Sequence, residues 1–155
     1  MVSVSDLSIA IYADGADLET IAARAKDPLI KGFTTNPTLM RKSGIQDYEG
    51  FAKDALALVG DRSISFEVFA DDFPTMEKQA RRIASWGKNV SVKIPITNTK
   101  GESAASLIRT LSADGVSVNV TAIMTEAQVK DVADALSADT SAIVSVFAGR
   151  IADTG

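Results

Sequence analysis

The sequence contains no cysteine and no histidine. The first absence excludes a disulfide framework, a thiolate nucleophile and any cysteine-ligated metal. The second removes the usual neutral-pH base and the commonest metal ligand. Acid–base chemistry therefore falls to Asp, Glu, Lys or Tyr. Positive charge is short as well: 16 Lys and Arg stand against 20 Asp and Glu, a formal charge of −4. That balance lacks the basic excess of a nucleic-acid binder, and an anionic ligand would need a local cluster of cations. No run reaches the roughly 18–20 apolar residues of a membrane span, and the opening MVSVSDLSIAIYADG has no basic n-region of a signal peptide. A cytoplasmic protein with no nucleic-acid or membrane partner is expected. There is no linker and no low-complexity tract, and 46% hydrophobic with 23% charged residues is an ordinary globular balance, so residues 1–155 are expected to form one domain.

Short apolar runs of β type alternate with longer stretches of helical period. The strand candidates are 8–14 (SIAIYAD), 30–36 (IKGFTTN), 63–70 (SISFEVFA), 89–96 (NVSVKIPI), 116–123 (VSVNVTAI) and 142–148 (AIVSVFA). Between them ADLETIAARAKD, QDYEGFAKDALALVG, FPTMEKQARRIASWG, ESAASLIRTLSADG and TEAQVKDVADALSAD read as amphipathic helices. Gly60, Gly87 and Gly115 stand where a left-handed C-cap wants glycine, and Thr125 with Gln128 has the spacing of a capping box. Strict alternation of strand and helix implies parallel strands and the α/β class.

A doubly wound open sheet and a (β/α)8 TIM barrel both fit this alternation. A nucleotide-binding open sheet would carry a glycine-rich phosphate loop after its first strand. The first turn here is YADGADLE, and neither GxGxxG nor GxxxxGK followed by Ser or Thr occurs. The barrel is favoured by where polar residues fall: Asp14 ends the first strand, and Thr35 and Asn36 end the second. Glu67 lies in the third, Lys93 in the fourth, Asn119 and Thr121 in the fifth, and Ser145 in the sixth. Parallel strands would gather these near one rim, where barrel enzymes place their chemistry.

Each residue also has an ordinary structural explanation. A strand lysine is usually a solvated edge residue, but the fourth of six strands is an unlikely edge, and Val90, Val92, Ile94 and Ile96 are expected to make both faces apolar around Lys93. Burial disfavours a charged amine, and a neutral amine attacks carbonyls. Asp14 competes with Asp17 for the N-cap of the first helix. Glu67 sits between Phe66 and Val68, where an unpartnered carboxylate is costly. Asn36-Pro37 is a turn and helix-start signal, Thr121 suits a strand on propensity alone, and an isolated arginine such as Arg150 is ordinarily solvated.

The motifs GFTTNPTL (32–39), SFEVFADD (65–72), VSVKIPIT (90–97), VSVNVTAI (116–123) and SVFAGRIAD (145–153) resemble the successive strand motifs of transaldolases, in particular the short microbial ones. The resemblance runs in order over essentially the whole chain. It implies a class I aldolase barrel with Lys93 as the Schiff-base lysine and Asp14 as the acid that moves protons during carbon–carbon cleavage. Asn36, with Thr35 in the same motif, would bind substrate hydroxyls. Glu67 and Thr121 would hold a catalytic water with Asn119 beside them, and Ser145, Phe147 and Arg150 would line the pocket and grip a sugar phosphate. The implied partners are small sugar phosphates and a second copy in a homo-oligomer; no metal, nucleotide or other cofactor is implied.

The implied reaction transfers a dihydroxyacetone unit from a ketose phosphate to an aldose phosphate. The acid at Glu67 and the SxFxxR segment favour this over a fructose-6-phosphate aldolase, in which the third-strand position tends to be an amide. The chain departs from the family pattern in stopping at Gly155, just after the sixth strand motif, where a complete barrel has eight strands and at least ~200 residues. A fragment of a longer product, closure by a second copy, and a shortened inactive relative kept as a binding or assembly module all fit. The sixth helix and the last two strand and helix units are expected to be missing, and the fragment is the favoured expectation, because DTG reads as an abrupt stop in a loop with no capping helix after it.

Overall fold

The computed structural model describes residues 6–154. Strands and helices alternate as β1 (Ile11–Asp14), α1 (Leu18–Ala25), β2 (Ile30–Thr34), α2 (Pro37–Lys42), α3 (Tyr48–Val59), β3 (Ser63–Glu67), α4 (Phe73–Ala84), β4 (Val90–Pro95), α5 (Ala105–Ala113), β5 (Val118–Ile123), α6 (Glu126–Ala135), β6 (Ala142–Val146) and α7 (Ala148–Asp153). Paired strands are parallel. The chain is thus an α/β protein with six βα units of the (β/α)8 kind. It forms two compact units that divide between Phe66 and Glu67.

In the N-terminal unit β2 pairs with β1 and β3, bringing Asp14 beside Thr34 and Thr34 beside Ser65. Side chains alternate across a strand, so Asp14, Thr34 and Ser65 share one face, while Phe33, Ile64 and Phe66 take the other and are buried together with Ile21 of α1 and Phe51, Ala52, Ala55 and Val59 of α3. Phe66 meets Tyr48 and Phe51 edge to face, with centroids 6.1 and 6.5 Å away. The Arg62 guanidinium lies 5.3 Å from the Phe33 ring centroid and donates to the carbonyls of Val59, Ile30 and Ala25. Gly32 is needed because the Tyr12 ring lies where a Cβ would stand.

In the C-terminal unit β5 pairs with β4 and β6. Val90, Val92, Ile94 and Ile96 share a face with Val118 and Val120, and all are buried. Met76, Ala80 and Ile83 of α4, Leu107, Ile108 and Leu111 of α5, and Val132 and Ala135 of α6 complete this core. The four β4 residues have the same parity, so they line one face rather than both. The opposite face carries Ser91, Lys93 and Pro95, so the expectation that apolar residues flank Lys93 on both faces is corrected. Lys93 is nonetheless only 8% exposed, on a polar face.

The strands are shorter than the apolar runs because their ends are diverted into other bonds. Asn36 leaves β2 to cap α2, accepting from Leu39 N at 2.9 Å with Pro37 in the first turn. Phe69 and Ala70 leave β3, both amides donating to Gln79 Oε1. Two helices, α2 and α7, join the five expected ones. A helix therefore does follow the sixth strand, α7, whose first turn has Phe147 O accepting from Ile151 N at 3.0 Å and which takes in Asp153 of DTG; the expectation that the helix after the sixth strand is missing is corrected. Gly60 and Gly115 adopt φ of 63° and 81° beyond α3 and α5. Gly87 has no such conformation, because α4 stops at Ala84 with Ser85 as its C-cap.

The capping box at Thr125 and Gln128 is present. Removing it with Thr125→Ala is expected to cost about 1 kcal/mol, measured by urea denaturation. The carboxyls of Asp17 and Asp72, N-caps of α1 and α4, are held below the usual carboxylate range. At Asp17 the Thr20 amide and then its hydroxyl do this, and at Asp72 the Thr75 hydroxyl and then its amide. A lowered folded-state pKa contributes stability above the unfolded value that is lost as pH falls through the folded one. The urea midpoint should therefore fall as pH drops below ~4, and less steeply in Asp72→Asn; equal slopes would refute the assignment.

Candidate functional site

The C-terminal unit assembles five of the residues singled out above on one face. Lys93 pairs with Asn119 and Pro95 with Thr121 across β4 and β5, and Ser145 lies two residues beyond Ile143, the β6 partner of Asn119. Glu67 reaches the same place from the end of β3, where Lys93 O accepts from Val68 N at 3.1 Å. Its carboxylate lies 3.5 Å from Lys93 Nζ, and the two side chains are only 16% and 11% exposed. Ser145 Oγ donates to Asn119 Oδ1 at 2.7 Å, which sets the orientation of that carboxamide. One layer below, Ser91 and Ser117 join hydroxyls at 3.0 Å.

Thr121 is 2% exposed. Its Oγ1 is buried with no hydrogen-bond partner, which costs free energy unless a ligand or water supplies one. Its own carbonyl accepts from Ile96 N at 2.9 Å. The next residue, Ala122, has φ of 60°, a left-handed conformation uncommon for any residue with a Cβ.

The N-terminal unit holds the remaining residues of β1 and β2. Asp17 takes the cap of α1, accepting from Thr20 N at 2.7 Å, so the competition with Asp14 is resolved against Asp14. The Asp14 carboxylate instead accepts from Thr34 Oγ1 at 2.8 Å and Asn36 Nδ2 at 3.4 Å. Asn36 uses both ends of its amide, one on Asp14 and one as a helix cap. Thr35 is fully buried, and its hydroxyl and amide both donate to Ser65 O at 3.0 Å. Phe147 and Arg150 are exposed at the start of α7.

Sequence reasoning missed Thr34, the hydroxyl that supports Asp14. The signal was parity: in TTN the first threonine and the asparagine share a face. It also missed Asp71, whose carboxylate accepts from Thr99 N at 2.8 Å and Thr99 Oγ1 at 2.6 Å, fastening the loop after β4 to the loop after β3. Those two bonds, the hydroxyl first, hold the Asp71 carboxyl below the usual range. The tandem acids of ADDF divide their labour, Asp72 capping α4 and Asp71 crossing to the next loop. Among the described residues no group of three or more Asp or Glu side chains could hold a metal ion, and no helix is long and apolar enough to cross a membrane.

The family model described as Transaldolase/Fructose-6-phosphate aldolase matches residues 11–155, from β1 through α7. The chain belongs to the transaldolase/fructose-6-phosphate aldolase family. A probable transaldolase of Dehalococcoides mccartyi is 39% identical over 145 residues, which is 94% of this chain and 63% of that protein. A probable transaldolase 2 of Listeria monocytogenes is 35% identical, covering 93% of this chain and 62% of the relative. A probable transaldolase of Roseiflexus castenholzii is 37% identical, with 94% and 63% covered. The chain thus spans less than two thirds of the length of these probable transaldolases, and the residues matched by the family model, 11–155, include every residue assembled above.

Proposed function

We propose that this chain carries the Schiff-base machinery of a transaldolase, acting on sugar phosphates. The observation that carries the reading is the enclosure of Lys93 beside Glu67, next to a buried Thr121 hydroxyl that no protein atom satisfies. An amine shielded from water is suited to attack a ketone, a carboxylate at 3.5 Å can relay its protons, and an orphaned hydroxyl beside them is a place for the water that imine formation expels.

In this reading Lys93 Nζ adds to the ketone of a ketose phosphate, and Glu67, through water at Thr121, moves the protons that turn the carbinolamine into an iminium ion and water. The bond between C3 and C4 then breaks. Its electron pair passes into the iminium to give an enamine, and the C4 hydroxyl proton goes to Asp14, whose carboxylate two donors orient and no helix cap consumes. The enamine attacks the carbonyl carbon of an aldose phosphate, and hydrolysis returns Lys93. Asn36, Asn119, Ser145, Phe147 and Arg150 are assigned to substrate binding: Asn119 through the carboxamide that Ser145 orients, Phe147 and Arg150 as an exposed apolar and cationic pair suited to a phosphorylated sugar; Thr35, fully buried with its hydroxyl on Ser65 O, is instead assigned to holding the end of β2.

Borohydride reduction in the presence of fructose 6-phosphate, followed by peptide mass spectrometry, tests this. A reduced dihydroxyacetone adduct on the peptide holding Lys93 is expected; its absence, with a longer relative trapping under the same conditions, would sink the reading for this chain. In Glu67→Gln the rate of adduct formation is expected to fall by about 10²-fold or more, and a wild-type rate would remove Glu67 from proton transfer. Transfer to erythrose 4-phosphate, measured against release of free dihydroxyacetone, separates transaldolase from aldolase; the acid at Glu67 favours transfer.

A further inference from the structure

On its β4 side, β5 pairs regularly through Thr121, but on its β6 side Val120 faces Val144 and Ile123 faces Val146. Two residues, Thr121 and Ala122, therefore stand opposite Ser145 alone, which is a β-bulge. The bulge contains Ala122 at φ 60°, and such strain persists only where the surroundings impose it.

The extra residue reverses the facing of the strand beyond it. With strict alternation Ile123 would share the face of Asn119 and Thr121, projecting beside the Thr121 side chain. With the bulge it joins Val118 and Val120 instead, and all three are 0% exposed. The bulge thus leaves Thr121 as the last β5 side chain on the polar face and keeps a bulky isoleucine from covering its unsatisfied hydroxyl.

We infer that Ala122 is a positioning residue: its left-handed backbone holds the bulge that keeps Ile123 off the polar face of Lys93 and Thr121, so that no isoleucine side chain is packed onto the unpartnered Thr121 hydroxyl. The catalytic part of this inference rests on the proposed Schiff-base reading; the structural part does not. A β-branched residue resists positive φ far more than alanine does, whereas glycine adopts it freely. Ala122→Val should slide β5 back into regular pairing and turn Ile123 inward, and Ala122→Gly should leave the bulge in place.

Two readouts test this on the full chain. The first is the rate of borohydride-trapped adduct at Lys93, expected to fall at least about tenfold in Ala122→Val and to stay within about twofold in Ala122→Gly. The second needs no catalysis: the chain has no cysteine, so Ile123→Cys introduces a single thiol. It should resist a small thiol reagent in the Ala122 background and react at least about tenfold faster when combined with Ala122→Val. A folded Ala122→Val protein with unchanged trapping or an unchanged thiol rate would overturn the inference. If Ala122→Val does not fold, Ala122→Gly decides it: a higher Tm with the thiol still protected is expected, and a lower Tm or an exposed thiol refutes it. Failure of the wild-type chain to form any adduct would overturn the Schiff-base reading and the catalytic part of the inference with it, while thiol protection still decides the bulge.

Discussion

Lys93→Met is expected to abolish turnover and adduct formation, a loss on the order of 10⁶-fold as for other covalent nucleophiles, while the protein stays folded. Methionine matches the length of the lysine stem and has no amine. Its effect on stability has a separate origin: Glu67 loses the ammonium at 3.5 Å, and removing one partner of a buried ion pair is costly because the other charge stays behind. The double variant Lys93→Met/Glu67→Gln removes both charges. It should recover the urea midpoint that Lys93→Met loses, with no recovery of turnover. Residual turnover in Lys93→Met would refute the nucleophile assignment, and no midpoint recovery in the double variant would show that the pair contributes little to the fold.

The largest expected loss of stability comes from Phe66→Ala, at about 3–5 kcal/mol. Phe66 is 0% exposed and meets two rings of α3 edge to face, so truncation opens a cavity and removes both aromatic contacts. Typical domains have only ~5–15 kcal/mol to lose, so a large share of the stability is at stake. Phe66→Leu, which fills most of the volume, should retain the majority of it in the same urea titration. A Phe66→Ala midpoint near wild type would mean that α3 closes over the gap. The next residue on β3 is Glu67, so a shifted strand should also slow borohydride trapping in whatever fraction of Phe66→Ala stays folded.

Much of the fold was legible because its signals are local. Alternating apolar runs and amphipathic periods located the six strands among the described residues and five of the helices, and the residues that end α3 and α5 and begin α6 are in place: Gly60, Gly115 and the Thr125–Gln128 box. Strand ends were overextended where a side chain far along the chain captured the backbone, as Gln79 does for Phe69 and Ala70. The short helices α2 and α7, each of 6 residues, span less than two turns and leave almost no periodic signal.

For the candidate site, residue types and order picked out Glu67, Lys93, Asn119, Thr121 and Ser145, which the structure gathers on one face, although Lys93 is buried for a different reason from the apolar flanks expected of β4. Parity in β4 places the valines and isoleucines on the other face; what encloses Lys93 includes the Glu67 carboxylate and the neighbouring strand. Thr34 was passed over for Thr35, although adjacent strand residues point to opposite faces and only Thr34 reaches Asp14.

The sequence by itself determined the α/β class, the order of the six strands and five longer helices, the caps at Gly60, Gly115 and Thr125–Gln128, the restriction of chemistry to Asp, Glu, Lys and Tyr, and the motifs that mark the transaldolase family. All of these are read from residue types and short spacings. Tertiary structure alone decided that Asp17 rather than Asp14 caps α1, that Asp71 reaches Thr99 28 residues away, that Thr121 keeps an unsatisfied hydroxyl, and that a bulge at Ala122 turns Ile123 off the face of Lys93 and Thr121. Each of these depends on which partner a polar group or strand meets across the sheet. Register is set by pairing between segments distant in sequence, and a slip of one residue exchanges the two faces.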